Sequence, residues 1–146
     1  MKKLFSKLIN GTEDLNALAV EVNSILPRQS MVLLEGDLGA GKTTFVSAFC
    51  RLHNISQVSS PTYAIHNRYN SAECSVDHLD LYRLDDEDKL ESAGVLDILQ
   101  QASDYKFIEW PGRLPDIESM SGHRIYKLNL LKTSDVSRQV DFFKIN

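Results

Sequence analysis

The chain has 146 residues, 42% of them hydrophobic and 25% charged, and its net charge is −4. This length accommodates one domain with a sizeable core, and no stretch approaches the ~18 apolar residues of a membrane span. The acidic balance and the lack of a basic stripe argue against direct nucleic-acid binding, and MKKLFSKLING at the start lacks the apolar h-region of a secretory signal.

A single cytoplasmic domain over 1–146, without membrane contact and monomeric when free, is the simplest expectation. In chain order, a short strand is predicted around Lys3–Leu8, and Thr12 reads as a helix N-cap with Glu13 and Asp14 in the first turn. Leu15, Leu18, Ala19, Val22, Ile25 and Leu26 recur at helical spacing, and Pro27 stops the helix. MVLLE at 31–35 is a continuous apolar run that reads as a strand buried on both faces. A second helix is predicted from Thr43 to His53, through Phe45, Phe49 and Leu52. The polar loop SQVSSPTY leads to two strands, Thr62–Tyr69 and Cys74–Leu79, with NSAE at 70–73 as their turn. Helix is predicted from Asp85 to about Gln101, interrupted near Gly94. Its acidic opening, DDEDKLE at 85–91, suits the positive end of a helix dipole.

YKFIEW at 105–110 is another buried strand and PGRLPD a loop. RIYKLNLL and RQVDFFKI form an antiparallel hairpin around KTSDVS. The fold class is therefore α/β of the P-loop NTPase type, a mostly parallel central sheet with antiparallel strands added at the C-terminal end. Cys50 and Cys74 fall in different elements without metal-like spacing and read as half-buried thiols. The four histidines are scattered, so no zinc site is expected.

The motif that carries chemistry is EGDLGAGKTTF at 35–45. Gly36, four residues, then Gly41, Lys42 and Thr43 match the phosphate-binding loop, placed between a buried strand and a helix as required. Glycines let successive N–H groups point inward at phosphate oxygens, and the following helix offers its positive N-terminus to the same anion. Lys42 reaches the β and γ phosphates of a nucleotide, the Thr43 hydroxyl binds Mg²⁺, and Thr44 can donate to the α-phosphate. Such a loop needs an acid for the magnesium shell. Asp80 and Glu109 both lie at strand ends, and the more apolar run before Glu109 suits a central strand. That favours Glu109 on the magnesium side and Asp80 on the attacking water, with the exchanged assignment still open. The SSPTY stretch holds Ser60, Pro61 and Thr62 where a γ-phosphate switch belongs, although a plain helix-to-strand connection fits equally.

GDLGAGKTT, SPTY, HLDLYRL at 78–84 and IEW at 108–110, in this order, resemble the TsaE family. The resemblance covers residues from about 12 to 113. It implies a small P-loop ATPase using ATP/ADP and Mg²⁺, weakly active alone, that joins the TsaB–TsaD pair making N6-threonylcarbamoyladenosine at position 37 of tRNA. Contact with tRNA would run through that complex. By this resemblance Gly36, Leu38, Gly39, Ala40, Gly41, Lys42, Thr43 and Thr44 hold the nucleotide, and Thr12 lies near the adenine. Asp80 is the catalytic or water-orienting aspartate and Glu109 the second magnesium-side ligand. Thr62 sits in the switch-like segment and joins Asp80 and Lys42 as a candidate catalytic residue. Trp110 either flanks the site or packs in the core. Where family members often carry a charge after EW, this chain has Gly112, with Arg113 beside it to supply one; both are placed on the nucleotide side. Two other classes compete: a small-molecule kinase, for which no lid-like insertion is evident, and a regulatory module that binds nucleotide without hydrolysis, which would not need both Asp80 and Glu109.

Overall fold

A computed structural model describes residues 1–59, 65–84, 89–114, 116–120 and 122–146, and the side chains of its third helix from Gly94 onward. Strand β1 (Lys2–Asn10) passes directly into helix α1 (Gly11–Ile25). The N-cap is Asn10 and carries no side-chain cap bond, so Thr12 lies inside the first turn and does not open it. Gly11, at φ +75°, makes the sharp turn, its N–H donates to the Val136 carbonyl at 2.9 Å, and the Asp14 carboxylate accepts the Asn10 N–H at 2.8 Å. Tertiary anchoring of Gly11 thus moves the cap from Thr12 to Asn10, earlier than the capping preference of threonine suggests.

Strand β2 (Ser30–Glu35) feeds the glycine loop and helix α2 (Lys42–Arg51). A hairpin follows, β3 (His66–Asn70) and β4 (Ser75–Asp80), paired antiparallel. Helix α3 (Lys89–Gln100) runs unbroken through Gly94, since a single glycine weakens a helix by only about 1 kcal/mol. Strand β5 (Tyr105–Glu109), two short 3₁₀ turns (Pro111–Arg113 and Ile117–Ser119), β6 (Arg124–Lys132) and β7 (Ser137–Lys144) complete the chain. The acidic residues 85–88 and the residues 60–64, which include Thr62, lie outside the described set.

All seven strands form one sheet in the order β1-β7-β6-β2-β5-β4-β3. β2 lies between β5 and β6, parallel to both, and β4 is parallel to β5. The parallel core therefore includes β6, whose hairpin partner β7 and then β1 continue antiparallel at one edge. Hairpin chemistry reports the β6–β7 pair, but the β2–β6 pairing is long-range and leaves no local trace. β2 is buried on both faces, as its apolar run requires. Val32 and Leu34 face the layer of α1 and α2, while Met31 and Leu33 face the layer of α3. Phe107 of β5 meets Phe45 and Phe49 of α2 edge-on, at ring-centroid distances of 6.1 and 4.8 Å. This aromatic lock fixes the helix that carries the glycine loop, each ring adding about 1.5–3 kcal/mol by burial. Cys50 and Cys74 are free and buried more deeply than expected, and that burial pushes their thiols up to about 12 and about 11. Among the described residues, no helix is long and apolar enough to cross a membrane.

Candidate functional site

The parallel strands end on one side of the sheet, and the glycine loop crosses those ends. Gly41 caps α2 at φ +107°, a conformation that an L side chain rarely adopts. Gly36 is held for a different reason: a Cβ there would meet the Leu130 carbonyl oxygen at 2.6 Å. The loop is also braced from β7. Arg138 donates from Nε to the Ala40 carbonyl at 2.8 Å and from a terminal nitrogen to the Gly39 carbonyl at 3.1 Å. Its other terminal nitrogen bonds the Ser134 and Ser137 carbonyls, both at 2.9 Å. One guanidinium thus ties the loop to the β6–β7 turn, a role that no pattern in the tail announces.

A cleft of about 300 Å³ lies between that turn and α1, lined by Thr12, Leu15, Gly39, Thr44, Val136 and Arg138 among others. The structure brings Thr12, Gly39, Ala40, Gly41 and Thr44 to this one cleft, while Leu38 stands exposed at the loop tip. A second hollow, of about 280 Å³, joins Gly36 and Asp37 to Trp110 and Gly112. Gly112 therefore lies beside the loop. Arg113 does not line this hollow; its guanidinium lies 5.9 Å from the centroid of the Tyr82 ring, which packs on Trp110 at 4.9 Å.

Between these spaces sit the charged groups. Asp80 and Glu109 are register partners on β4 and β5 and share the face of α2. The Thr43 hydroxyl donates to Glu109 Oε2 at 2.9 Å. Asp80 accepts the Tyr82 N–H at 3.0 Å, and burial pushes its carboxyl up, with the Glu109 charge adding to the effect. Lys42 is 5% exposed, and burial lowers its ammonium against the pull of Glu109, Asp80 and Asp37. Its Nζ donates to the Gly36 carbonyl and lies 3.8 Å from the Trp110 ring centroid. Trp110 joins both alternatives: it packs against the α3 layer and also covers Lys42, from a left-handed backbone at φ +59°. Strain of order 1–3 kcal/mol at such a residue is typical of functional sites.

His78 was legible only in part. It alternates with Asp80 and so shares its face, but the sequence does not say what it touches. Its Nε2 lies 2.6 Å from Glu109 Oε2, the oxygen that also accepts from Thr43. Thr62 cannot be placed, since it lies outside the described residues.

A family model described as "Threonylcarbamoyl adenosine biosynthesis protein TsaE" matches residues 9–140. The chain belongs to the TsaE family. The match runs well past Arg113, so β6, Val136 and the first half of β7 are part of the family pattern. Relatives named tRNA threonylcarbamoyladenosine biosynthesis protein TsaE include one from Aquifex aeolicus, 38% identical over 64% of this chain and 73% of its own length. The Borreliella burgdorferi protein is 38% identical over 59% of this chain and 63% of its own. The Synechocystis protein is 39% identical over 64% of this chain, and the match spans 62% of that relative. Among solved structures, Bacillus subtilis YdiB superposes with a TM-score of 0.71 over 100% of this chain and 88% of its own, at 23% identity. That likeness speaks for the fold. This TsaE-family chain thus combines the family's architecture with a loop, two carboxylates and a buried lysine gathered at one sheet end.

Proposed function

We propose that this chain binds and hydrolyses ATP as an accessory protein of tRNA threonylcarbamoyladenosine formation, slowly alone and faster when joined to TsaB–TsaD, whose complex it resets between turnovers. The observation that carries this reading is the Thr43–Glu109 hydrogen bond, which sets a loop hydroxyl and a strand-end carboxylate beside Asp80 and Lys42. The tRNA is met only through the complex, in keeping with the net charge of −4.

The donor set fits magnesium. Thr43 donates a hydrogen bond to Glu109 and keeps its oxygen lone pairs, and hydroxyl plus carboxylate oxygen is the hard-donor pair that Mg²⁺ takes alongside substrate phosphates. Thr43 and Glu109 would hold the ion, which supplies positive charge at the β and γ oxygens when bound. The glycine-loop N–H groups orient the phosphates, since their carbonyl side is engaged by Arg138. Lys42 exchanges its contacts with Gly36 and Trp110 for phosphate oxygens. Asp80, its carboxyl pushed up by burial, is suited to hold a water and accept its proton. Thr12, Leu15 and Val136 line the cleft that receives the nucleoside.

Phosphate release measured for the chain alone, and again with TsaB–TsaD and tRNA, tests the reading. Stimulation by the partners is expected, and Lys42→Ala should abolish turnover and severely weaken ATP binding while leaving the fold intact. Equal ATP affinity and turnover in Lys42→Ala would sink the assignment.

A further inference from the structure

We propose that His78 and Tyr69 are positioning residues that set the Glu109 carboxylate for the metal and tie it to the backbone at Ser59. This rests on the nucleotide and magnesium reading above. His78 is 0% exposed in the middle of β4, on the α2 face, where an aliphatic side chain would pack without a desolvation cost. What it does instead is polar at both ring nitrogens. Nε2 faces Glu109 Oε2 at 2.6 Å, in the tautomer that donates to the carboxylate, and Nδ1 lies 3.3 Å from the Tyr69 hydroxyl. The Tyr69 hydroxyl has a single proton, shared between Nδ1 and the Ser59 carbonyl at 2.6 Å, and its oxygen accepts the Ser59 N–H at 3.3 Å, the bond that reaches Ser59 when the proton faces Nδ1. Tyr69 comes from β3 and is itself buried, so the line from Glu109 to Tyr69 is shielded from solvent, and only its end at Ser59 is exposed.

The consequence for Glu109 is geometric. The terminal torsion of a glutamate is broad, so an unsupported carboxylate samples many planes. Here one oxygen, Oε2, accepts from both Thr43 and His78, and among the described residues none donates to Oε1. Two donors on one oxygen fix the carboxylate plane. Partners that bond a ligating side chain in this way commonly govern metal affinity. The line runs from β3 through β4 to β5, crossing three adjacent strands of the sheet.

The test uses the full chain loaded with ADP, Mn²⁺ as the probe, and electron paramagnetic resonance to count free Mn²⁺. His78→Leu is expected to bind Mn²⁺ about 10–100-fold more weakly. Its affinity for ADP in EDTA should stay within about two-fold of the parent, which a general structural defect would not allow. His78→Gln, whose amide reaches the place of Nε2, should recover most of the loss, and Tyr69→Phe should lose a few-fold. In hydrolysis the Mg²⁺ concentration for half-maximal rate rises, while the rate at saturating Mg²⁺ changes little. Parental Mn²⁺ affinity in a folded His78→Leu, or His78→Gln as weak as His78→Leu, overturns the proposal. Should His78→Leu not fold, Tyr69→Phe decides, and parental Mn²⁺ affinity there overturns it. A parent chain that binds no Mn²⁺–ADP instead overturns the nucleotide reading, and this proposal with it.

Discussion

Replacing Asp80 by asparagine removes one charge from a partly buried position and keeps the outline of the side chain. The oxygen that accepts the Tyr82 N–H at 3.0 Å is retained. Burial pushes the Asp80 carboxyl up from its ordinary value of 3.8, and Glu109 adds to this, against the Tyr82 N–H, His78 and Lys42. A carboxyl whose folded pKa lies above its unfolded one binds its proton more tightly in the native state. Its ionisation therefore costs stability above the folded pKa, and the cost disappears once pH falls below about 3.8. A fully buried, unpaired ion would cost several kcal/mol. Partial exposure and the nearby Lys42 reduce this to about 1 kcal/mol, or a rise in Tm of about 2–4 °C for a chain of this size in Asp80→Asn. Calorimetric melting without nucleotide at pH 7 and pH 4 measures it, and the gain should shrink at the lower pH. If Asp80 acts on the attacking water as proposed, the same variant should bind Mg-ATP within a few-fold of the parent and lose turnover by about 10²-fold or more, since such a group acts in the transition state. No gain in Tm at pH 7, or an equal gain at pH 4, would refute the claim that the site holds Asp80 at an energetic cost.

Three further outcomes are expected. Trp110 is the only tryptophan and has the Lys42 ammonium 3.8 Å from its ring centroid, so withdrawal of Lys42 to the phosphates should change its fluorescence. An emission spectrum unaltered at saturating Mg-nucleotide would assign Trp110 to packing alone. Arg138→Ala removes charge-assisted bonds to the loop and turn carbonyls and should destabilise by about 1.5–3 kcal/mol in urea unfolding, with weaker ADP binding. Arg138→Lys should restore little of this, since an ammonium cannot span the same carbonyls. Phe107→Ala empties the space between β5 and α2 and should cost about 3–5 kcal/mol by denaturant titration; a loss under 1 kcal/mol would show that α2 is fixed by other contacts.

The loop, the buried strands and the two carboxylates were legible because each leaves a local mark: glycine spacing, an uninterrupted apolar run, an acid at a strand end. Gly36 to Thr44 could be read for the same reason, as could the central character of β5, though not which strand lies beside it. What escaped depends on pairing at a distance. β6 joins the parallel core through β2, yet its own residues advertise only the hairpin with β7. Arg138 gains its role from that hairpin folding back onto the glycine loop, which nothing within RQVDFFKI reveals. Thr12 was misread as a cap because a local preference was judged without the Gly11–Val136 bond that overrides it. His78 shows the intermediate case, its face being given by alternation and its partners by the neighbouring strand.

The pairing of β1 bears on how the protein is made. β1 sits at the sheet edge and has β7 as its one neighbour, in a register running from Lys2–Lys144 to Asn10–Ser137. On the ribosome β1 emerges long before β7 and must wait for Ser137 and the residues after it before it can be seated, a closure of high sequence separation and correspondingly slow. Until then α1 hangs from an unpaired strand, and the Thr12 and Leu15 wall of the cleft is missing. A copy arrested in synthesis before β7 would carry an intact glycine-loop sequence yet lack the cavity around it. The cleft is thereby completed only when β7 has been made and has paired with β1.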